Sequence, residues 1–266
     1  MRIKSPFRYP GSKNRLSINK IILSYFPENI TEYREPFAGS GGIYFSQNKY
    51  KKRWINDINE DLMSVYNELL SNTKQFINQC RSIPTIIESK DKEKTQNIIE
   101  KKFYELLESE NSALRYFFLN RTCFSGRVRK KLTYFSYAEG WNITRNNGHL
   151  ERIAEYMKDT IITNTDYNVL LENLGDNVFL YLDPVYYSDT QRRNSSKLYD
   201  FSFTEQDHLS LYNNLKKCKH KWCMSYDGHD FIRDLYKDFN IYNEKWTYNF
   251  STENRKKGDE IIITNY

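Results

Sequence analysis

The chain has 266 residues, enough for one large domain or two modest ones with a full hydrophobic core. Lys and Arg number 40 against 34 Asp and Glu, and the net charge of +6 favours a polyanionic partner. Four cysteines without a Cys-x-x-Cys pair and four unclustered histidines argue for reduced thiols and no metal site. With neither a signal peptide nor an apolar run of membrane length, a soluble, cytoplasmic protein is expected, with no membrane partner.

The N-terminus opens Pro6-Phe7-Arg8-Tyr9-Pro10-Gly11-Ser12-Lys13, a turn-rich segment with two cations and two aromatics. Residues 14–26 follow with Ile18, Ile21, Ile22 and Tyr25 at helical spacing. The stretch 34–45 reads as a short strand, a glycine turn at Gly39-Ser40-Gly41-Gly42, and the first turn of a helix. Glycines let the backbone approach a ligand closely, and a helix start offers free N–H groups. Residues 53–57 read as a second strand ending in the carboxylate of Asp57. A glycine turn after one strand and an acid ending the next is a nucleoside-binding arrangement, the acid accepting from ribose hydroxyls. The turn lacks the third glycine of the dinucleotide pattern, which argues for a nucleoside ligand without a pyrophosphate.

Residues 60–102 are charged and helix-prone, with Leu62, Val65, Tyr66 and Leu69 on one apolar stripe and the charges of 90–102 on a solvated face. Residues 103–119 read as a further helix. The composition then changes. Asn120-Arg121-Thr122-Cys123-Phe124-Ser125-Gly126-Arg127-Val128-Arg129-Lys130-Lys131 is strongly basic, and Tyr134, Phe135, Tyr137 and Trp141 follow. Turn residues interrupt helical periodicity there, so the segment reads as a loop or hairpin insertion that touches nucleic acid through cations and stacking rings. A surface loop with a chance cationic run is the competing reading.

A short helix is expected over 150–157, a strand over 160–163 with Asp166 just beyond it, and a helix over 168–174. Val178-Phe179-Leu180-Tyr181-Leu182 is an apolar run of the kind buried on both faces of a parallel sheet. Asp183-Pro184 ends it, because proline lacks a backbone donor and fixes φ. Ligands of open α/β sheets bind beyond the carboxyl ends of the strands, which puts Asp183 and Tyr186 where a substrate would lie. Arg192, Arg193 and Lys197 fall on a polar loop. A helix over 204–217 opens with a capping box, Thr204 with Asp207, and carries Leu209, Tyr212 and Leu215 on its buried side. A strand over 221–226, a helix over 231–236, and a terminal hairpin pairing 241–250 with 260–265 around a basic loop at 251–259 complete the chain.

In this order the motifs are specific. The chain resembles the Dam-type DNA N6-adenine methyltransferases from end to end. The resemblance rests on Tyr9-Pro10-Gly11-Ser12-Lys13, Glu35-Pro36-Phe37-Ala38-Gly39-Ser40-Gly41, Asn56-Asp57-Ile58-Asn59 and Asn120 to Gly126. Asn164-Thr165-Asp166-Tyr167, Asp183-Pro184-Val185-Tyr186 and Ile263-Thr264-Asn265-Tyr266 complete it. It implies an α/β, Rossmann-like seven-stranded sheet, mostly parallel with a terminal β-hairpin, and a helical target-recognition insertion. The expected division is a catalytic domain over 1–60 and 150–266 with an insertion over 61–149.

It also implies S-adenosyl-L-methionine as methyl donor, leaving as S-adenosyl-L-homocysteine, in a pocket of Tyr9, Lys13, Phe37, Ala38, Gly39, Ser40, Gly41, Asp57, Asp166, Tyr167 and Asp183. Asp183, Pro184 and Tyr186 would be catalytic on a base flipped out of double-stranded DNA. Arg121, Ser125, Arg127, Arg129, Lys130, Lys131 and Tyr134 would contact the DNA. The expected protein is a monomer of bacterial or phage origin, with a cognate restriction endonuclease as a candidate partner. Val185 replaces the second proline of the family's tetrapeptide and so bears on loop rigidity. Methylation of cytosine N4 or of adenine in RNA, and a decayed module that binds DNA or cofactor without turnover, are the alternatives.

Overall fold

A computed structural model describes residues 3–9, 11–47, 49–129, 133–145, 148–187, 203–247 and 257–266. Pro10, Lys130, Lys131, Arg192, Arg193, Lys197 and most of the loop expected over 251–259 lie outside the described residues. The strands are β1 (Glu32–Glu35), β2 (Lys52–Asn56), β3 (Thr160–Thr163), β4 (Val178–Leu182), β5 (Lys221–Asp227), β6 (Asn240–Thr247) and β7 (Lys257–Thr264). They form one seven-stranded sheet in the order β3-β2-β1-β4-β5-β7-β6. β1 pairs parallel with β2 and β4, β4 pairs parallel with β5, and the β6–β7 hairpin adds to β5 antiparallel. The order reverses between β1 and β4, the topological switch point at which such sheets bind ligands.

The helices are α1 (Leu16–Ser24), α2 (Glu60–Ser71), α3 (Thr73–Ser82), α4 (Lys92–Leu107), α5 (Ala113–Thr122), α6 (His149–Met157), α7 (Asn168–Glu172), α8 (Glu205–Lys217) and α9 (Asp230–Leu235). By contacts the chain divides into two units. A helical unit holds residues 1–12, 39–41 and 59–162, and a sheet unit holds 13–38, 42–58 and 163–266. The insertion expected over 61–149 falls within the helical unit. Its core gathers Leu62, Tyr66, Phe76, Phe103, Phe117 and Trp141, all fully buried. The sheet unit buries all of β4, with Trp222, Tyr226, Ile261 and Ile263 in the same core.

Four expectations from the sequence are corrected. The glycine turn is followed by a single 3₁₀ turn, Tyr44–Ser46, not by a longer helix. Ile43, Tyr44 and Phe45 are all buried, and three successive buried residues leave no amphipathic stripe for an α-helix to follow. The helix expected over 103–119 is two helices. α4 ends at Leu107, and Ser112 opens α5 by accepting from the Arg115 amide (3.2 Å). Arg115 turns back to donate from Nε and Nη2 to the carbonyls of Leu106 and Leu107 (2.8 and 3.1 Å), satisfying groups that the end of α4 leaves open.

In α8 the capping box of Thr204 and Asp207 is present, but His208, Leu211 and Leu215 face the core, with Leu209 and Tyr212 half-buried. The stripe shifts because His208 Nδ1 hydrogen-bonds the Tyr226 hydroxyl inside the core. Burial there holds the imidazole down to about 4, against the pull of Asp227, Asp207 and Glu205. In the hairpin, β7 begins at Lys257, three residues before the expected start. Among the described residues no helix is long and apolar enough to cross a membrane.

Candidate active site

Strands β1 to β4 each carry candidate residues just beyond their carboxyl ends. Phe37 and Ala38 follow β1, Asp57 follows β2, Asp166 follows β3 and Asp183 follows β4. Asn56, the last residue of β2 and buried, ties three of these ends together. Its Nδ2 donates to the carbonyls of Pro36 and Thr165 (3.1 and 3.0 Å), and its Oδ1 accepts from Thr163 Oγ1 and the Thr165 amide (2.8 and 2.9 Å). The Ala38 amide bonds the Asn56 carbonyl (2.8 Å), and Asn164 Nδ2 bonds the Asp57 carbonyl (2.8 Å). Phe37 packs on Tyr167 at 5.1 Å between ring centroids, and Asp166 accepts from the Asn168 amide (2.9 Å) at the start of α7.

The Asp183 carboxylate is held on both oxygens. Lys13 Nζ lies 2.8 and 3.0 Å from its two oxygens, and Ser225 Oγ donates to Oδ1 (2.8 Å). The hydroxyls of Ser225 and Tyr181 bond behind it (2.8 Å), so β4 and β5 together aim the carboxylate. Lys13 also sits over the Tyr186 ring, 4.8 Å from its centroid. Lys13 was expected among the cofactor groups; the structure joins it to Asp183 and Tyr186.

The loop after Asp183 is braced at each residue that matters. Pro184 is buried and Val185 half-buried. Tyr186 stacks on Tyr226 (5.7 Å, 24°) and its hydroxyl donates to Glu260 Oε2 (2.7 Å). The Tyr187 amide donates to Asp227 Oδ1 (3.2 Å), its hydroxyl to Glu205 Oε2 (2.8 Å), and its ring stacks on Phe231 (4.4 Å). These contacts brace the loop immediately after Val185. Glu35, buried at the end of β1, accepts from the Tyr33 hydroxyl (2.6 Å). Burial first, with Asp183 and Asp57 adding to it, pushes its carboxyl well above the usual range.

In the helical unit, Gly39 and Gly41 have φ of +47° and +69°. A Cβ on Gly39 would lie 3.4 Å from the Tyr9 ring, so the glycine sits directly against that aromatic side chain. Ser40 bonds Ser12 between hydroxyls (2.7 Å). In the basic segment Asn120 is fully buried. It donates to the carbonyls of Arg8 and Gly126 (2.7 and 2.9 Å) and accepts from the Arg8 amide (3.0 Å). Arg121 donates to the carbonyls of Gly140 and Pro6 (3.0 and 3.2 Å); burial, and then Arg8 beside it, lower its pKa to about 10. Ser125 has φ +55°, Arg127 and Arg129 are half-buried, and Phe124 and Tyr134 are exposed. Cys123 and Phe135 form an isolated antiparallel bridge.

Sequence reasoning missed Ser225, Asp227, Glu260 and Glu205, which with Lys13 hydrogen-bond the 183–187 loop. Within the sheet unit the donor set fits a nucleoside-bearing methyl donor: the carboxylates of Asp57 and Asp166 beyond strand ends and the aromatic pair of Phe37 and Tyr167.

Residues 9–250 match the model of the D12 class N6 adenine-specific DNA methyltransferases. The chain is 29% identical, over the full length of both proteins, to a type II methyltransferase, M.MjaIII, of Methanocaldococcus jannaschii. It is 28% identical to the type II methyltransferase M.CviBI of Paramecium bursaria Chlorella virus NC1A, over 91% of this chain and 92% of that protein. To a DNA adenine methylase of Vibrio cholerae it is 23% identical, over 96% and 93%. With the match to the family model spanning most of its length and the strand-end carboxylates in place, the chain belongs to the D12 class of N6 adenine-specific DNA methyltransferases.

Proposed function

We propose that the chain methylates the N6 amine of one adenine within a specific site of double-stranded DNA, using S-adenosyl-L-methionine. The observation that carries this reading is Asp183 at the end of β4, its carboxylate fixed by Lys13 and Ser225, with the Tyr186 ring beside it. S-adenosyl-L-methionine supplies an electrophilic methyl group when bound. Asp57 would accept from its ribose, with Phe37, Ala38, Asp166 and Tyr167, and Tyr9, Gly39, Ser40 and Gly41 of the helical unit, as the other cofactor contacts.

Adenine N6 is a weak nucleophile because its lone pair is delocalised into the ring. Asp183 and the Pro184 carbonyl accept hydrogen bonds from the two N–H groups and so favour an amine with its lone pair free to attack. Those bonds strengthen as positive charge grows on nitrogen, so they stabilise the transition state more than the ground state. Asp183 acts as acceptor and orienter, and the surplus N6 proton passes to water after the new N–C bond has formed. A paired adenine hides N6 in the stack, and Tyr186 offers a flipped base an aromatic surface. Ser125, Arg127, Arg129, Lys130, Lys131 and Tyr134 are proposed to contact DNA. Arg121 supports them from behind, since its guanidinium holds backbone carbonyls. The relatives named type II methyltransferases support a restriction endonuclease of the same specificity as partner.

Single-molecule mapping of modified bases in DNA from a methylation-free host expressing the chain tests this reading. Modified adenines confined to one short sequence are expected; unmodified DNA from cells containing folded protein would refute it. Two variants test its parts. Asp57→Ala should weaken S-adenosylmethionine binding while DNA binding persists, and calorimetry showing unchanged cofactor affinity would remove Asp57 from the site. Replacing Arg127, Arg129, Lys130 and Lys131 with alanine should weaken DNA binding and flatten its salt dependence, because fewer counterions are released. Equal salt slopes before and after would make the segment a charged surface loop.

A further inference from the structure

We propose that Lys13 is a stand-in for the target base, occupying the adenine site until a flipped base displaces it. The inference rests on the adenine-methylation reading above. Besides the Pro184 carbonyl, an adenine in this site has two side-chain contacts to make, an N–H donor on the Asp183 carboxylate and a flat face on Tyr186. The Lys13 ammonium makes both already. It donates to the two carboxylate oxygens at 2.8 and 3.0 Å, and it lies 4.8 Å from the Tyr186 ring centroid as a cation over an aromatic. Lys13 is only 4% exposed against 23% for Asp183, so its charge is sealed against these two partners.

The surroundings allow the side chain to leave while the site keeps its shape. Asn19 Nδ2 donates to the Lys13 carbonyl, which ties the backbone and confines the movement to the side chain. Ser225 remains on Asp183 Oδ1 with Tyr181 behind it, so the carboxylate keeps its orientation when the lysine withdraws. Tyr186 keeps its bond to Glu260 and its stack on Tyr226.

The exchange makes Lys13 a specificity determinant. Moving a buried ammonium off its counter-charge is costly, and only an incoming group that restores a donor to Asp183 offsets that cost. A base with an exocyclic amine does so; thymine, which has none, does not. The pocket thereby rejects bases by what they fail to replace.

The test uses the full chain with saturating S-adenosylhomocysteine and a duplex carrying the mapped site. 2-Aminopurine beside the target adenine reports unstacking when that adenine leaves the helix. Lys13→Met and Lys13→Gln remove the competing cation, and each should raise the fluorescence change by about threefold over wild type. Lys13→Arg retains a cation and should stay near wild type. Because a buried Met could unfold the protein, Lys13→Gln, which removes the cation over Tyr186 but stays polar beside Asp183, provides an independent arm. Unchanged or smaller fluorescence in whichever neutral variants fold would overturn the proposal, since a permanent structural partner of Asp183 gives that result. A wild type that modifies adenine in the mapping experiment while the neutral variants show no gain refutes the stand-in alone. A wild type that modifies no DNA refutes the underlying reading and the stand-in with it.

Discussion

Asp183→Asn should lower the single-turnover rate of methyl transfer by at least about a hundredfold, the usual cost of losing a transition-state hydrogen bond of this kind. The substitution keeps size and shape but turns part of a pure acceptor into a donor. In the wild type both carboxylate oxygens receive donors, Lys13 on each and Ser225 on Oδ1. An amide there must present its NH₂ to a donor, either Lys13 or the N6 amine. DNA and cofactor binding should survive, because the other expected cofactor contacts and the basic segment are left in place. A variant that binds both ligands normally and transfers methyl within tenfold of the wild-type rate would remove Asp183 from catalysis.

Gly126→Ala should destabilise the helical unit by about 3 kcal/mol or more, the sum expected for a left-handed non-glycine residue and an overpacked contact. Gly126 has φ +73°, and a Cβ built on it would lie 2.1 Å from the Arg8 carbonyl oxygen. That oxygen is itself fixed by Asn120 Nδ2 (2.7 Å), so it cannot yield cheaply. For a chain of this size the first thermal transition should fall by roughly 10 °C. A melting curve matching wild type would show that the 120–126 turn is not the rigid base of the basic segment.

The sequence-level reading succeeds where the signal is local. The uninterrupted apolar run of β4 has no polar face to hide, and the proline after Asp183 marks its end. The capping box of α8 is read from two residues three apart. It fails where the partner is remote. Ser225, Asp227 and Glu260 reach the 183–187 loop across 42, 40 and 74 residues. A lone serine or glutamate in a strand carries no mark of what it will meet. The break between α4 and α5 was hidden because aromatic residues continue at helical spacing on both sides of the polar Ser109-Glu110-Asn111-Ser112. Lys13 belonged to a recognised motif, yet its bond is with Asp183, 170 residues away, and only the folded chain shows it.

The most direct test of the central claim is transfer of a labelled methyl group from S-adenosylmethionine to DNA bearing the mapped site, followed by digestion to nucleosides. The Asp183-Pro184-Val185-Tyr186 loop, held by Lys13, Ser225, Asp227 and Glu260, predicts label in N6-methyldeoxyadenosine alone. Label in N4-methyldeoxycytidine, or no label in DNA from a folded enzyme that binds both ligands, would contradict it.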